Sequence, residues 1–327
     1  ASVSQTIHQL VYNEYSYAVN LYYYGEHDKA EQRCELLIRK CPPDFSIYGA
    51  TCALLARILM ERAETEHVSE LLRISKQDLF YYRHIDLYLD IMAAHALWYL
   101  SSGESSKAFE VITEAILQGE KYRDVPREAL LSAYFLQAQI ALYREDVREV
   151  QRIERKFAPR LKERDILGTL LLDTIHAFAL KLQGDNVKAV LLLDEVIVRA
   201  KEHDFNRIVV ISLVEKTLAL HDAGEETKSI ISFNDLIFIA RQQGYMRSIL
   251  NGGRPMSKLV REYAATRKLG GFLRGYVKEI LQFFDAEASG RHKSASEDVA
   301  FLQDEYMLTE REAEVLRLLN MGFSRDR

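Results

Sequence analysis

Small and apolar side chains fall on one helical stripe that is interrupted and restarted at a fixed interval along the chain. Ala18, Ala56, Ala96, Ala138 and Ala177 recur in successive segments, and Leu21, Leu59, Tyr99 and Leu180 follow three residues after four of them, the spacing of neighbours on one face of an α-helix. Seven residues beyond each alanine comes a turn signal. Gly25-Glu26-His27-Asp28-Lys29-Ala30, Gly103-Glu104-Ser105-Ser106-Lys107-Ala108, Gly184-Asp185-Asn186-Val187-Lys188-Ala189 and Gly224-Glu225-Glu226-Thr227-Lys228-Ser229 share one pattern: Gly, an acidic residue, two variable positions, Lys, then a small residue. Two further copies, at Ala63 to Val68 and Glu145 to Val150, keep the flanking helical pattern without the glycine. Positions 25, 63, 103, 145, 184 and 224 are 38, 40, 42, 39 and 40 residues apart. The pattern predicts six helical hairpins, each a helix, a tight turn opened in four of them by Gly, and a second helix. No hairpin can bury its apolar stripe alone, so the six are expected to stack into a right-handed superhelix with a concave and a convex face over residues 1–243.

Composition agrees with an all-α chain. Only 5 prolines and 15 glycines punctuate 327 residues, and a 48% hydrophobic content is ample for a large core. No apolar run approaches a membrane span and the first residues do not resemble a signal peptide, so a cytoplasmic protein without a membrane role is expected. Cys34, Cys41 and Cys52 lack metal-ligand or redox spacing and read as apolar fillers. Beyond the repeats, Leu259, Val260, Phe272, Tyr276, Ile280 and Phe283 form an apolar set expected to cap the solenoid over 244–285, and 286–306 turns abruptly small and charged, as a linker does. Net charge is −5, yet nine basic and two acidic residues lie between Arg241 and Ile280. That segment fits either phosphate contacts or docking on the acidic repeats.

The Gly-x-x-x-x-Ala turn with a small residue seven positions upstream resembles the tetratricopeptide repeat, with a period longer by about six residues. The resemblance implies that positions three, six, ten and thirteen before the turn residue line the concave groove. These are Tyr12, Tyr15 and Tyr22 in the first hairpin, Arg57 in the second, Asp90 in the third, Phe135 and Gln139 in the fourth, and Thr174, Phe178 and Lys181 in the fifth. Such a mixed aromatic and polar lining suits a small ligand or an extended peptide, against the alternative of an unused hydrated groove.

The chain closes on Leu308-Thr309-Glu310-Arg311-Glu312, a capping box, followed by an amphipathic run with Val315, Leu316 and Leu319 and by Gly322-Phe323-Ser324. Residues 307–327 thereby resemble the opening of a LuxR-type helix-turn-helix, with Thr309, Arg311 and Glu312 at its start and Arg325 where the family usually has Asn. Helical repeats followed by such a head resemble the MalT-like regulators. The resemblance implies a sensor region that binds a small-molecule inducer or a regulatory protein, DNA binding through a complete head continuing past Arg327, and an ATP-dependent domain upstream of Ala1; separately, an apolar stripe at either end of a solenoid would favour self-association unless a capping helix covers it. The alternative is a repeat adaptor that holds a peptide or protein partner and has no DNA role.

Independent catalysis is not expected, and no cofactor is expected within this chain. There is no Gly-x-Ser-x-Gly elbow and no Gly-x-x-x-x-Gly-Lys-Ser/Thr phosphate loop. His95 and His176 occupy the same slot in two hairpins and read as packing, while His84, Asp86 and Asp90 share a helix without a second ligand pair.

Overall fold

A computed structural model describes residues 3–43, 45–77, 84–160, 165–266 and 271–288, and these are helical throughout apart from turns. The repeats are α1 (Val3–Tyr24) with α2 (His27–Lys40), α3 (Ser46–Glu61) with α4 (Val68–Gln77), α5 (Ile85–Ser101) with α6 (Ser105–Gly119), α7 (Arg127–Tyr143) with α8 (Val147–Phe157), α9 (Ile166–Leu182) with α10 (Asn186–Glu202), and α11 (Asn206–Asp222) with α12 (Glu226–Gln243). Each first helix packs on its own partner and on the first helix of the next hairpin, the stacking of a tetratricopeptide-like solenoid. Three more helices follow: α13 (Met246–Leu250), α14 (Gly253–Thr266) and α15 (Gly271–Ala288). The chain divides into two compact units, Ala1–Leu281 and Gln282–Arg327. The second is described only where α15 continues through Ala288, into the stretch expected to be a linker. Thr309, Arg311 and Glu312 lie outside the described residues.

The six turns are built alike. In each, the amide of the turn residue donates to the carbonyl three residues back and the next amide donates to the carbonyl five back from itself, as in Gly25 N–H to Tyr22 and Glu26 N–H to Leu21. This is the Schellman closure, which needs a left-handed residue. Gly103 supplies it with φ near +81°, but Ala63 and Glu145 adopt it at +61° and +56° without being glycine. The two missing glycines changed the residue and left the turn intact. A left-handed non-glycine residue costs about 1–2 kcal/mol, part of which glycine returns as unfolded-chain entropy. Glu145→Gly, at an exposed site, is therefore expected to stabilise by about 0.5–1 kcal/mol in urea unfolding. A loss of stability would mean that the Glu145 side chain makes a needed contact.

Small residues at two fixed positions let the paired helices approach closely. Ala18, Ala56, Ala96, Ala138 and Ala177 are buried to within 1%, as are Ala30, Val68, Ala108, Val150 and Ala189, five residues after the turn. The sixth hairpin fills the same two slots with polar residues that satisfy each other: Ser229 Oγ donates to the Thr217 carbonyl, and Thr217 bonds Ser232. The acidic residue and lysine of the glycine turns pair across one helical turn, as in Lys188 with Asp185 at 2.6 Å and Lys228 with Glu225 at 3.1 Å. These exposed pairs are worth little individually.

The first unit closes on itself, which leaves the concave face as an interior. The tip of the first hairpin packs on the sixth and on α13: Asn206 Nδ2 donates to the Tyr24 carbonyl at 2.8 Å, and Tyr24 stacks on Phe205 with ring centroids 5.8 Å apart. His27 meets the Tyr245 ring edge-on at 4.6 Å. Glu61, at the end of α3, accepts the Ser248 amide at 2.8 Å across 187 residues of sequence. The reason is visible in α11, where from Arg207 to Leu220 only Lys216 escapes burial. A helix apolar on all sides has to be surrounded, and the first hairpin completes the surround. Leu259, Val260, Tyr276 and Ile280 are buried as well, Phe283 is half-exposed, and the Phe272 side chain lies outside the described residues.

Candidate functional site

The predicted lining residues do face inward, but into a nearly filled interior. Each hairpin turns the same rows of its first helix toward the superhelix axis. Tyr22 is fully buried, Tyr15, Arg57, Phe135, Thr174 and Phe178 are at most 6% exposed, and Tyr12, Asp90, Gln139 and Lys181 are half-buried.

A polar network ties the first three hairpins together. Tyr15 Oη donates to Asp90 Oδ2 at 2.7 Å, and Tyr12 Oη donates to Asp86 at 2.5 Å. Arg57 Nη1 stands 3.5 Å from the other Asp90 oxygen, and its guanidinium lies 4.7 Å from the centroid of the Tyr22 ring. Burial pushes the Asp90 carboxyl above its ordinary range, against the pull of Arg57 and the Tyr15 hydroxyl. Burial likewise drives the Tyr15 hydroxyl well above its usual value, with the Asp90 charge adding to it, so Tyr15 stays a donor. Further along, Lys181 pairs with Glu215 of α11 at 2.5 Å, and the Phe135 and Phe178 rings are 6.1 Å apart. Thr174 directs its hydroxyl to its own helix, to the Leu170 carbonyl at 2.7 Å, and offers nothing to a ligand.

Among the small cavities between described residues are two that touch the predicted rows. One of about 20 Å³ is lined by Tyr23, Arg57, Asp90, Ser132, Phe135, Gln139 and Arg207, among others. The other, of about 30 Å³, is lined by Gln139, Phe178, Glu215 and Ser248. Gln139 faces both. Each holds one or two water-sized atoms, so a whole metabolite requires the interior to open. Arg207, Glu61, Glu215, Ser132 and Ser248 are absent from the sequence-derived set. Arg207 lies seventeen residues before its turn, outside the four groove rows, and an arginine in the first turn of an otherwise apolar helix was the one sign of it.

Of the other candidates, His95 is a packing residue as expected, whereas His176 is not buried. His84, Asp86 and Asp90 serve the tyrosines of α1, and no group of three metal-ligating residues occurs among the described residues. His176 is exposed and bonds Glu154 at 2.7 Å. His95, in the equivalent slot, is 4% exposed, with Nε2 3.3 Å from Ser75 Oγ. Burial, then the Lys76 charge, lower its pKa to about 3. The unfolded chain takes up this proton below about pH 6.5 and the folded chain does not, so stability present above that pH is lost as pH falls toward 3. Between pH 6.5 and 5 the loss is about 2 kcal/mol, and His95→Gln is expected to remove it from the pH dependence of urea midpoints. An unchanged slope in the variant would assign the acid sensitivity elsewhere. Cys34, Cys41 and Cys52 are buried thiols, with burial pushing Cys34 up.

Of the basic segment, Arg247 is buried, Arg254, Lys258, Arg261, Arg274 and Lys278 are exposed, and Arg267 and Lys268 lie outside the described residues. Among the described residues no helix is long and apolar enough to cross a membrane.

No protein-family model matches the chain, and a search of curated proteins finds no match. Among solved structures, a Rap protein complexed with Competence and Sporulation Factor is similar with a TM-score of 0.54, covering 86% of this chain and 77% of that one at 12% sequence identity. At that identity the likeness concerns the fold: a tetratricopeptide-like helical solenoid.

Proposed function

We propose that the helical unit is a regulatory module that binds an effector in its concave interior and passes the binding on through closure of the superhelix. The observation that carries this is the polar network of Tyr15, Arg57 and Asp90, with Arg207 on the same cavity wall, in the interior of a solenoid whose two ends meet. A structure that spends desolvation on buried charges at its centre loses stability relative to an apolar filling, which is expected where the charges serve recognition. The Rap protein of similar fold forms a complex with Competence and Sporulation Factor, so an effector complex on this architecture has a precedent. An effector shifts the ends only if it binds one state better, and Arg207 joins the other interior groups only in the closed form.

The finer reading is the sensor of a LuxR-type transcription regulator, with DNA bound by the complete head. It is supported by Leu308-Thr309-Glu310-Arg311-Glu312 and Gly322-Phe323-Ser324. The alternative, an adaptor with no DNA role, draws on a different observation: Val187, Leu191 and Val198 of α10 and Ile231 and Phe238 of α12 are each more than half exposed. Exposed apolar side chains in rows suit a protein partner.

A thermal-shift screen of the chain against peptides and small metabolites tests the core proposal. A ligand at a hundred times its Kd adds about 2.7 kcal/mol of apparent stability, and Gln139→Ala should weaken any interior hit. Hits indifferent to Gln139 and Arg57 would place binding outside the interior. Selection of duplex DNA by the gene's full product separates the regulator, which enriches a sequence, from the adaptor, which does not.

A further inference from the structure

Arg207, on α11, is 8% exposed, and among the described residues no carboxylate oxygen lies within ion-pair distance of it. Its guanidinium stands 5.5 Å from the Tyr22 ring centroid, a contact that leaves the N–H fork unused, and its Nε has no partner. The Glu61 charge favours it from further off, but that carboxylate accepts the Ser248 amide. Arg57 lines the same cavity and is better served, by Asp90 at 3.5 Å, long for a charge-assisted bond, and by the Tyr23 hydroxyl, but its Nε is also unpartnered. A third unpartnered atom on the cavity wall is Gln139 Oε1, and its amide can be turned to present its NH₂ group instead.

Two buried guanidiniums, each with an unpartnered Nε, face a cavity of about 20 Å³, and of the two only Arg207 lacks an ion-pair partner among the described residues. That space admits the head of a small anion and not a whole metabolite. Planar donor forks match a carboxylate in shape, and a buried cation without an anion is the feature that a bound anion would relieve. We propose that Arg57 and Arg207 form a buried receptor for one carboxylate carried by the effector. This rests on the reading of the interior as the effector site and names the group recognised there. The arginines come from the second and sixth hairpins, so an anion between them joins the two ends of the superhelix. Binding then favours the closed form, the differential affinity a switch requires.

The experiment is thermal unfolding of the full chain in sodium acetate, sodium phosphate and sodium chloride at equal ionic strength. Acetate is expected to raise the unfolding temperature above the chloride value in the wild type, and Arg207→Gln is expected to lose that increment. Ser132→Asp places a carboxylate on the cavity wall and is expected to melt higher than the wild type and to ignore acetate. Because it supplies the missing anion instead of removing a cation, it keeps the test valid should Arg207→Gln fold poorly. Equal melting in acetate and chloride, an acetate response retained in Ser132→Asp, or stabilisation by phosphate alone would each overturn the assignment.

A pool of random hexapeptides with free C termini, and the same pool amidated, identifies the source of the carboxylate. Retention of the free pool alone assigns a chain terminus; enrichment of Asp and Glu in both assigns a side chain. Retention of both without that enrichment, unaltered by Arg207→Gln, overturns the carboxylate receptor and leaves the effector reading standing. An Arg207-dependent acetate response with no peptide or metabolite bound does the reverse.

Discussion

Gly25→Ala is expected to destabilise the protein by about 3 kcal/mol or more, whereas Gly103→Ala, at a turn of the same backbone geometry, is expected to lose only about 1–2 kcal/mol. Both glycines have φ of +81°, so the backbone strain is common to the two variants. The surroundings differ. A Cβ at Gly103 meets nothing within 4 Å, but one at Gly25 would fall 2.4 Å from Tyr245 Oη and 3.1 Å from Asn206 Cβ. Tyr245 is fully buried against His27 and has nowhere to retreat. The difference between the two urea-unfolding free energies therefore measures the contact between the first hairpin and the end of the solenoid. Equal losses would show that the ends do not meet in solution.

Tyr22→Ala carries the other large effect, a loss of about 4 kcal/mol, typical of removing a fully buried aromatic ring. This ring stacks on His27 and lies beside the guanidiniums of Arg57 and Arg207, so truncation also strips two buried cations of their nearest favourable surface. The hydroxyl contributes in the opposite sense. Tyr22 Oη is buried without a hydrogen-bond partner, a desolvation cost of about 1–3 kcal/mol, so Tyr22→Phe is expected to be neutral or stabilising by about 1 kcal/mol. Chemical denaturation of the two variants checks both signs. A Tyr22→Phe variant as unstable as Tyr22→Ala would mean that the hydroxyl has a partner in solution.

The repeats were legible because the Schellman turn and the close helix approach each demand a residue type at a fixed position. Ala18 to Ala177 and Ala30 to Ala189 announce the hairpins even where Ala63 and Glu145 replace the glycine. The closure was not legible from spacing. Asn206 with Tyr24, and Ser248 with Glu61, join residues more than 180 positions apart, and such pairs leave no periodic trace. One trace was available in composition: α11 places Ile, Val and Leu on every side among its few polar residues, the pattern of a helix surrounded by others. The site was half legible for a related reason. Groove rows found Arg57, Asp90 and Gln139, whose orientation is set locally by their own hairpin, and missed Arg207, which reaches the interior only because the superhelix closes.

Amide hydrogen exchange at Ser248 tests the closed superhelix most directly. Ser248 is the third residue of α13, and first-turn amides have no acceptor within their own helix. Its acceptor is the Glu61 carboxylate, brought from the second hairpin by closure alone. This amide is expected to exchange slowly, through opening of the unit, and Gly25→Ala is expected to accelerate it far more than Gly103→Ala. Exchange at the rate of an exposed amide in the wild type would contradict it.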